Sequence, residues 1–400
     1  MGRVQENRGP LVGFRVLDAT QMISGPMATM VLADQGADVI KVEPPGRGDL
    51  TRALGGGKRG MAPIFATTNR NKRSIALDLK KPAGLAVFDR LVARADLFVE
   101  NFRPGRAERL GIGPARLCAL NPRLVYVSIS GFGETGPYAE RRVYDPVIQA
   151  LSGLASIQAD RPSGRPRMIR LIVPDKVTAL TAAQAMTAAL LARERSGRGQ
   201  HVRLSMLDAV VSFLWPEAMA RHTFIGDDVG VVRPPDVRDL VFETRDGFVT
   251  IGTVSDAEWE GLARALGHEE WLEDERFRTP AGRVKYADAR LELTAEAVRD
   301  YPRADLLRLL ADAEVPSAPI LTRDELLEDP QIAANELIVE DEHPSAGRMR
   351  QPRPAARFAE TPSSLRTGAP TLGQHSDEVL DEAGVGADEI RRLRENRILG

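Results

Sequence analysis

The sequence predicts an α/β protein in which a mostly parallel sheet is covered by helices on both faces, together with a second, smaller domain. Strand-like and helix-like runs alternate over the first 150 residues, and this alternation is typical of parallel sheets with helical crossovers. A length of 400 residues favours two domains over one. A stretch rich in proline, glycine and aspartate at 226–240 indicates the boundary between them.

Two rounds of strand, helix and strand account for the first part of the chain. The first round consists of RVLDAT (15–20), PMATMVLADQG (26–36) and DVIKVE (38–43). The second consists of SIALDL (74–79), PAGLAVFDRLVARA (82–95) and DLFVEN (96–101), followed by a short helix near 104–110 and a strand at LVYVSIS (124–130). The apolar, β-branched runs predict buried strands, and the longer runs predict the crossover helices.

The next segment joins an apolar run to a long alanine-rich run. MIRLIV (168–173) has the composition of a buried strand, and the helix expected at Asp175 ends where Arg193 and Arg195 precede Gly197. Cations in a last turn and a glycine after it are ordinary signals of a helix C-terminus. HVRLSMLDAVVSFLW (201–215) then predicts one more strand followed by a helix.

Residues 241 to about 320 predict a small α+β domain. VFETRDGFVTIGT (241–253) is typical of a hairpin with Asp246 and Gly247 at its turn, and DAEWEGLARALG and RADLLRLLADAEV have the spacing of amphipathic helices. Prolines and glycines recur from 343 to 375, which predicts extended, irregular chain. One last helix is expected near 376–396.

Composition and charge narrow the function classes. Hydrophobic residues make up 43% and charged residues 28%, and acids and bases nearly cancel at a net charge of −2, which gives no support to nucleic-acid or membrane-surface binding. A single cysteine, Cys118, excludes an internal disulfide framework, and no two of the five histidines have metal-ligand spacing. The single cysteine and the spacing of the histidines predict a protein without a bound metal. The polar first residues and the lack of a membrane-spanning apolar run predict a cytoplasmic location.

The loops after the strands are the expected place for a ligand, because doubly wound sheets bind ligands at the carboxyl ends of their strands. The sequence contains no GxGxxG fingerprint, no P-loop lysine and no GxSxG elbow there, which argues against dinucleotide, P-loop and serine-hydrolase sites. The loops are instead rich in basic residues: Arg70, Lys72 and Arg73; Lys80 and Lys81; Arg103, Arg106 and Arg109; Arg141 and Arg142. Such groups bind phosphate oxygens, but spacing alone favours solvated charges paired with acids.

One acid, Asp175, stands alone between the apolar run and the alanine-rich helix, directly after Pro174. It can be a helix N-cap that accepts hydrogen bonds from the first free amides. It can also be a functional carboxylate, kept ionised by the helix dipole and available as a nucleophile or base. Position alone does not choose between these roles, although caps are much commoner than catalytic acids.

Seven motifs follow one another along the chain: LVGFRVLDATQMISGPMATMVLADQGADVIKVEPPGRGD, NRNKRSIALDLKKPAG, ADLFVENFRPG, LNPRLVYVSISGFGETGPY, YDPVIQALSGL, SGRGQHVRLSMLDAV and LGQHSDEVL. In this order they resemble the class III CoA-transferases of the CaiB/BaiF type, a family that includes formyl-CoA transferase, the carnitine CoA-transferases and the α-methylacyl-CoA racemases. The resemblance covers nearly the whole chain. It implies a Rossmann-like large domain built from both chain ends (1–225 and 326–400), a small α+β domain (226–325) and an interlocked homodimer.

The resemblance also implies a coenzyme A site, position by position. Asp175 stands at the place of the aspartate that attacks the acyl-CoA carbonyl in the transferases. Ile23 and Ser24 would line the adenine and pantetheine path, and Pro44 replaces an adenine-side arginine of some members. The nucleotide contacts would come from Leu77, Asp78, Leu79, Lys80, Asn101, Phe102 and Arg103, the phosphate contacts from Arg109, Arg141 and Arg142, and the pocket wall from Val143 and Tyr144.

The implied function is transfer of CoA between an acyl-CoA donor and a small or medium carboxylic acid through an aspartyl-CoA thioester. CoA would be a substrate, and no cofactor would be bound permanently. A racemase of the same family needs a histidine where Tyr144 stands, and a phenol is a poor proton acceptor at neutral pH, so transfer is favoured over racemisation. A CoA-binding protein without catalysis, with Asp175 as a cap, is the third alternative.

The resemblance leaves the closure of the site and the acyl group open. Formyl-CoA transferase covers its pocket with a run of glycines from the small domain, and residues 226–262 contain no such run. The acyl group is selected by the shape of a pocket, which the sequence does not define. For a dicarboxylic acid, Arg47 and Arg170 are the candidates to pair with the second carboxylate.

Overall fold

The computed structural model describes residues 8–226 and 239–400. The chain divides into two compact units, one formed by 1–235 with 337–400 and the other by 236–336. The domain boundaries predicted at 225/226 and 325/326 stay predictions, and most of the stretch 226–240 lies outside the described residues. Within the described ranges, no helix is both long enough and apolar enough to span a membrane.

A six-stranded sheet organises the first unit. Its strands are β1 (Arg15–Asp18), β2 (Asp38–Glu43), β3 (Lys72–Ala76), β4 (Leu97–Glu100), β5 (Val125–Ser130) and β6 (His201–Ser205). Neighbouring strands all pair in parallel, in the order β3-β2-β1-β4-β5-β6, so the predicted α/β class is confirmed. The strand order reverses between β1 and β4, and the loops that follow these two strands border the crevice where such sheets bind ligands.

The helices of this part of the chain lie between and after the strands. They are α1 (Ser24–Asp34), α2 (Pro63–Thr68), α3 (Pro82–Val92), α4 (Arg106–Arg109), α5 (Pro114–Leu120), α6 (Asp145–Leu151), α7 (Leu154–Ile157), α8 (Val173–Ser196) and α9 (Met206–Ala218). Two 3-10 turns occur at Leu50–Ala53 and Ala220–His222. The strands and helices expected from the sequence up to 130 therefore form at or within a few residues of their predicted positions.

Alternation along the strands produces a separate core on each face of the sheet. On one face, Leu17 and Phe98 pack with buried residues of α3 and α5. On the other face, Val16 and Val99 pack with buried residues of α1 and α8. Helices therefore cover both faces, as the alternation of strand-like and helix-like runs predicts.

The long helix α8 uses alanine at many of its buried positions. Ala179, Ala182 and Ala183 are all at most 6% exposed, and their short side chains allow the backbone of α8 to lie close to α1 and the sheet. The helix ends as predicted, because Gly197 adopts the left-handed conformation (φ 73°) that stops a helix. This packing fixes where α8 begins, which matters for Asp175.

The prediction of a buried strand at 168–173 is wrong. The structure describes these residues and forms no strand there, and Met168 and Leu171 are 47% and 63% exposed. Apolar composition favoured a strand, but Pro166 and Pro174 remove backbone donors near both ends of the run. The run instead leads as irregular chain into α8, which begins at Val173.

The second unit has a small antiparallel sheet and a core of its own. Its strands, paired in chain order, are β7 (Val241–Thr244), β8 (Gly247–Ile251) and β9 (Ser317–Pro319). Its helices are α10 (Asp256–Ala265), α11 (Glu270–Glu273), α12 (Pro280–Lys285), α13 (Ala287–Val298), α14 (Arg303–Asp312) and α15 (Pro330–Ala334), with a 3-10 turn at Glu325–Glu328. Trp259, Trp271 and Phe277 lie in its core. The unit is α+β, as predicted.

The predicted hairpin of this unit forms with its turn one residue earlier than expected. Thr244 pairs with Gly247, so Arg245 and Asp246 make the turn and Gly247 opens β8. The turn is held in this register because the Asp246 carboxylate accepts a 2.6 Å hydrogen bond from the backbone N–H of Arg303.

The chain returns to the first unit through two strands and two helices. They are β10 (Ile338–His343), β11 (Gly347–Pro352), α16 (Ser376–Glu382) and α17 (Ala387–Glu395). The predicted irregular chain is therefore wrong for 347–352, where β11 pairs with β10 and the His343 ring accepts a 3.0 Å hydrogen bond from the backbone of Ala346. The single helix predicted near 376–396 is divided, because Gly384 follows α16 with a φ of 75°.

The C-terminal residues complete the edge of the sheet beside β3. Leu77 pairs with Leu399, and the backbone N–H of Asp78 donates a 2.8 Å hydrogen bond to the carbonyl of Ile398. The backbone N–H of Gly400 donates to the Ala76 carbonyl at 2.9 Å. The stretch that follows β3 is thus fixed by residues from the far end of the described chain.

We expect Gly84→Ala to lower the free energy of unfolding by about 1–3 kcal/mol, because overpacking forces the backbone to shift. A Cβ at Gly84 would lie 2.1 Å from the carbonyl oxygen of Asp78. Gly386→Ala is the matched control, since Gly386 has a φ of −70° and no atom within 4 Å of its Cβ position. Urea denaturation compares the two variants, and equal free energies of unfolding would contradict this packing.

Candidate active site

Two neighbouring cavities lie at the carboxyl ends of the strands in the first unit. The Asp175 cavity, of about 230 Å³, is bordered by the loops after β1 and β4 and by the start of α8. The Lys80 cavity, of about 400 Å³, is bordered by the chain after β2 and β3 and by the loop after β4. Gln21, Phe102 and Arg106 line both cavities, so the two adjoin at the point where the strand order reverses.

The residues predicted to contact CoA line these cavities, with one exception. In the Asp175 cavity they are Ile23, Ser24, Asn101, Phe102, Arg103, Arg141, Arg142, Val143 and Tyr144. In the Lys80 cavity they are Leu77, Asp78, Leu79, Lys80 and Phe102. Arg109 lines neither of the two cavities, although it shares the single turn of α4 with Arg106, which lines both.

Sequence reasoning did not assign several of the lining residues. They include Gln21, Met22, Arg106 and Met206 in the Asp175 cavity and Arg397 in the Lys80 cavity. Arg47, suggested by the sequence for a second carboxylate, also lines the Lys80 cavity. Arg106 carried a usable signal, because it belongs to a group of basic residues that follows β4. Arg397 carried none, since its place depends on the pairing of Leu399 with Leu77.

Arg47, Arg103 and Arg106 form a cationic group without acidic partners. Among the described residues, no carboxylate lies within ion-pair distance of any of these three side chains. Burial, and then repulsion from the neighbouring arginines, lowers the pKa of Arg106. Like charges that are partly removed from water are costly unless a counter-ion joins them, so the group suits a bound polyanion.

Other basic residues singled out by the sequence are structural. Lys72 lies 2.9 Å from Asp18, and Arg70 lies 2.7 Å from Asp34. The third of them, Arg73, pairs with acids of β2 and α16. The expectation that basic residues pair with acids therefore holds for these three, although Arg70 and Lys72 are buried and not solvated.

Asp175 is the third residue of α8 and not its cap. The N-cap is Ile172, which makes no side-chain capping hydrogen bond, so the cap interpretation of Asp175 is wrong. Burial, and then the neighbouring Asp145 carboxylate, raises the pKa of Asp175 to about 6, while hydrogen bonds from the backbone and hydroxyl of Ser24 lower it. A carboxylate with this pKa is still mostly ionised at neutral pH.

Asp145 is a second acid beside Asp175, and sequence reasoning gave it no role. It is 4% exposed and begins α6. Its carboxylate accepts hydrogen bonds from Gln149 Nε2 at 2.7 Å and from the Asp175 N–H at 3.5 Å, and burial raises its own pKa. Two neighbouring acids oppose each other's ionisation, so Asp145 makes Asp175 more basic than a solvated carboxylate.

Two helix N-termini meet at Asp175. α8 begins just before it, and α1 begins at Ser24, which lines the same cavity and lowers the pKa of Asp175. The two helices are held together in the core that contains Leu32 and Met186. The positive ends of both helix dipoles favour the charged carboxylate and act against the effects of burial and of Asp145.

Tyr144 lines the Asp175 cavity at the position where the resemblance places a racemase histidine. None of the five histidines, all of which lie in the described parts of the chain, lines this cavity. Within 8–226 and 239–400 no three His, Cys, Asp or Glu side chains are arranged to hold a metal ion. The acid-base groups that line the cavity are therefore one carboxylate, Asp175, and one phenol, Tyr144, without an imidazole.

Comparisons with known proteins show the family of this chain. The family description "CoA-transferase family III" matches residues 11–376. A succinate–glutarate CoA-transferase of Agrobacterium fabrum is 35% identical over 96% of this chain and 98% of its own, and a formyl-CoA:oxalate CoA-transferase of Streptomyces coelicolor is 33% identical over 97% and 99%. The crystal structure of a CaiB/BaiF family protein from Brucella suis has a TM-score of 0.81 and 33% identity, covering 94% of this chain and 100% of its own. The resemblance seen in the motifs is confirmed, and the chain belongs to CoA-transferase family III.

Proposed function

We propose that Asp175 is the nucleophile of a reaction that moves coenzyme A from an acyl-CoA donor to a carboxylic acid. The observation that carries the proposal is the position of Asp175 at two helix N-termini, in a cavity that adjoins the unpaired arginines. The thioester would lie in the Asp175 cavity and the nucleotide in the Lys80 cavity. There Arg47 and Arg106 would bind phosphate oxygens through their guanidinium groups.

The reaction needs two exchanges at an activated carbonyl. The Asp175 carboxylate attacks the thioester carbonyl and expels the CoA thiolate, which leaves a mixed anhydride. The thiolate then attacks the aspartyl carbonyl, releasing the donor acid as its carboxylate and forming an aspartyl-CoA thioester. The acceptor carboxylate repeats both steps in reverse, so Asp175 is regenerated and no proton is gained or lost.

The surroundings of Asp175 suit this role. A raised pKa makes the carboxylate a better nucleophile than a solvated one, while a value of about 6 leaves it ionised at neutral pH. Ile129, Val143 and Met206 add apolar wall to the cavity. Exclusion of water protects the anhydride and the thioester, both of which hydrolyse readily.

The acceptor that we propose is a dicarboxylic acid. The relatives described above are named for succinate, glutarate and oxalate, all of which carry two carboxylates. In this chain Arg141 and Arg142 line the Asp175 cavity and supply cations for a second carboxylate. They replace the two arginines suggested by the sequence, because Arg47 lines the Lys80 cavity and Arg170 is exposed and lines neither cavity.

Two alternatives have less support. A racemase would need a second proton-transfer base facing Asp175, and Tyr144 stands where that histidine belongs. A CoA-binding protein without catalysis would leave the raised pKa of Asp175 and its contact with Ser24 without a purpose. CoA transfer needs no histidine at the position of Tyr144, and it uses the raised pKa of Asp175.

We also propose that the protein works as a cytoplasmic homodimer with CoA as a substrate and without a permanently bound cofactor. Large apolar side chains of α8 and α9 support a second copy, since Leu180, Phe213 and Trp215 are exposed in a single chain. The lone Cys118 suits a reducing compartment. The balanced charge argues against nucleic acid or a membrane surface as a partner.

Asp175→Asn should reduce CoA transfer by at least about a thousandfold, because an amide cannot form the anhydride. Incubation of the wild type with an acyl-CoA followed by hydroxylamine should leave a hydroxamate on Asp175, detected by peptide mass spectrometry. Asp208→Asn is the matched control, since Asp208 is also an acid in a first helical turn and lines neither cavity. A wild type that transfers CoA without labelling at Asp175 would refute the nucleophile.

The acid limb of kcat/KM should lie near pH 6. Asp175 reacts in its charged form, so activity falls as the pH drops through its raised pKa. Asp145→Asn removes the neighbouring charge that raises this pKa, and the limb should therefore move to lower pH. Initial rates measured from about pH 4.5 to about pH 8.5 define the limb, because carboxylates and imidazoles titrate within roughly this range. A limb that stays in place would show that Asp145 does not act on Asp175.

Arg106→Gln should raise KM for acyl-CoA about ten- to a hundredfold, because one charged hydrogen bond to a phosphate contributes about 1.5–3 kcal/mol. An acyl-pantetheine lacks the nucleotide phosphates, and its KM should not change. Arg109→Gln is the control, since Arg109 lines neither cavity. An equal increase of KM for acyl-CoA in both variants would favour the phosphate contact at Arg109 that the resemblance implies.

A further inference from the structure

The loop that follows β1, residues 20–23, is held by side chains in β1 and β2, directly after β4 and at the start of the 3-10 turn Leu50–Ala53. We name it the β1 loop. At its start, the carboxylate of Asp18 accepts a 2.9 Å hydrogen bond from the backbone N–H of Thr20. The ammonium group of Lys41 in β2 donates to the carbonyl of Thr20 at 2.9 Å. Both ends of the first residue in the loop are thus fixed by buried charges.

The next residue, Gln21, is held by the side-chain amide of Asn101. Asn101 Oδ1 accepts from the Gln21 N–H at 2.9 Å, and Asn101 Nδ2 donates to the Gln21 carbonyl at 2.7 Å. The backbone groups define which end of the amide is oxygen, because one is a donor and the other an acceptor. Asn101 directly follows β4, so these two bonds join the loops on either side of the strand-order reversal.

The third residue, Met22, adopts a conformation that non-glycine residues avoid. Its φ is 69°, and a left-handed residue with a Cβ costs about 1–2 kcal/mol. The Asp49 carboxylate accepts from the Met22 N–H at 3.2 Å and lies 3.0 Å from Lys41. Such a conformation persists only where surrounding contacts determine it, and the chain then enters α1 at Ser24.

We propose that Asn101 is a positioning residue that holds the β1 loop so that Ser24 meets the Asp175 carboxylate. The inference rests on the proposed role of Asp175 as nucleophile. The family resemblance implies a nucleotide contact for Asn101, whereas both polar groups of its side chain are bonded to the backbone of Gln21. Asn101 acts through the β1 loop, and its neighbours Phe102 and Arg103 line the Asp175 cavity with it.

This arrangement links the two functions of the site. The residues after Asn101 lead to Arg106, which lines both cavities, while the β1 loop leads to Ser24 at the nucleophile. The amide of Asn101 therefore fixes the distance between the cations that would bind the nucleotide and the carboxylate that would attack the thioester. A small displacement of reacting groups costs up to about a hundredfold in rate.

The experiment compares Asn101→Ala, Ser24→Ala and the double variant, with an acyl-CoA and the matching acyl-pantetheine as donors. Asn101→Ala should lower kcat by about ten- to a hundredfold for both donors. It should also move the acid limb of kcat to higher pH, because Ser24, which lines the same cavity and lowers the pKa of Asp175, is no longer held in place. The loss in the double variant should be smaller than the product of the two single losses, since both changes act on one contact.

Asn121→Ala is the matched control. The Asn121 amide also bonds to loop backbone, donating to the carbonyls of Val92 and Ala95 at 2.9 Å each, but it lines neither cavity. This variant should lose stability without moving the acid limb. If Asn101→Ala does not fold, Asn101→Asp takes its place, because the aspartate keeps an acceptor for the Gln21 N–H. This variant should lower kcat equally with the two donors.

Three results would overturn the proposal. The first is that Asn101→Ala raises KM for acyl-CoA but changes neither the kinetics with acyl-pantetheine nor the acid limb. The second is that the losses of the two single variants multiply fully in the double variant. The third is that Asn121→Ala shifts the acid limb as much as Asn101→Ala does. Hydroxylamine trapping in the wild type separates this inference from the proposed function. An unlabelled Asp175 refutes the nucleophile, whereas a labelled Asp175 with an unmoved limb in Asn101→Ala refutes only the positioning role.

Discussion

A buried ion network beneath the β1 loop is the constraint on which the site depends. Lys72 lies 2.9 Å from Asp18 and Lys41 lies 3.0 Å from Asp49, and all four residues are at most 2% exposed. Burial alone would raise the pKa of Asp18, but Lys72 and Lys41 hold it well below its usual range. Removing one member of such a network strands a charge, at a cost of about 3–5 kcal/mol. The strands β1, β2 and β3 are therefore fixed together, and the strained β1 loop with them.

The chemistry at Asp175 then follows from how separate elements pack around one carboxylate. α6 brings Asp145, which opposes ionisation, while α1 brings Ser24, which favours it. The start of α8 adds its dipole. None of these influences is a property of the aspartate itself. α1 and α8 pack in one core of the sheet, and α6 packs in a separate cluster around Ile148. The balance leaves a carboxylate that is both charged and basic at neutral pH.

Much of the sheet could be predicted from the sequence, because its strands are short apolar runs separated by helical runs of ordinary length. DVIKVE became a strand over Asp38–Glu43, with the predicted bounds. The same criterion, a short apolar run, wrongly predicted a strand at 168–173, because composition does not reveal whether a partner strand is available. The motifs named Asp175 and Phe102 as site residues, and both line the Asp175 cavity. Sequence reasoning gave no role to Asp145 and did not foresee the bond between Asn101 and Gln21, because both depend on contacts across the fold.

Residues near 397 also decide when the lining of the Lys80 cavity is complete during synthesis. Arg397 lines the Lys80 cavity, and its neighbour Leu399 pairs with Leu77. Units of a chain fold as they leave the ribosome, the N-terminal ones first, yet the cavity wall beside β3 waits for Arg397 to be translated. While the chain is still being made, the strands that carry Lys41 and Lys72 can assemble, but the Lys80 cavity lacks the side chain of Arg397 until the second unit, encoded in between, has been made.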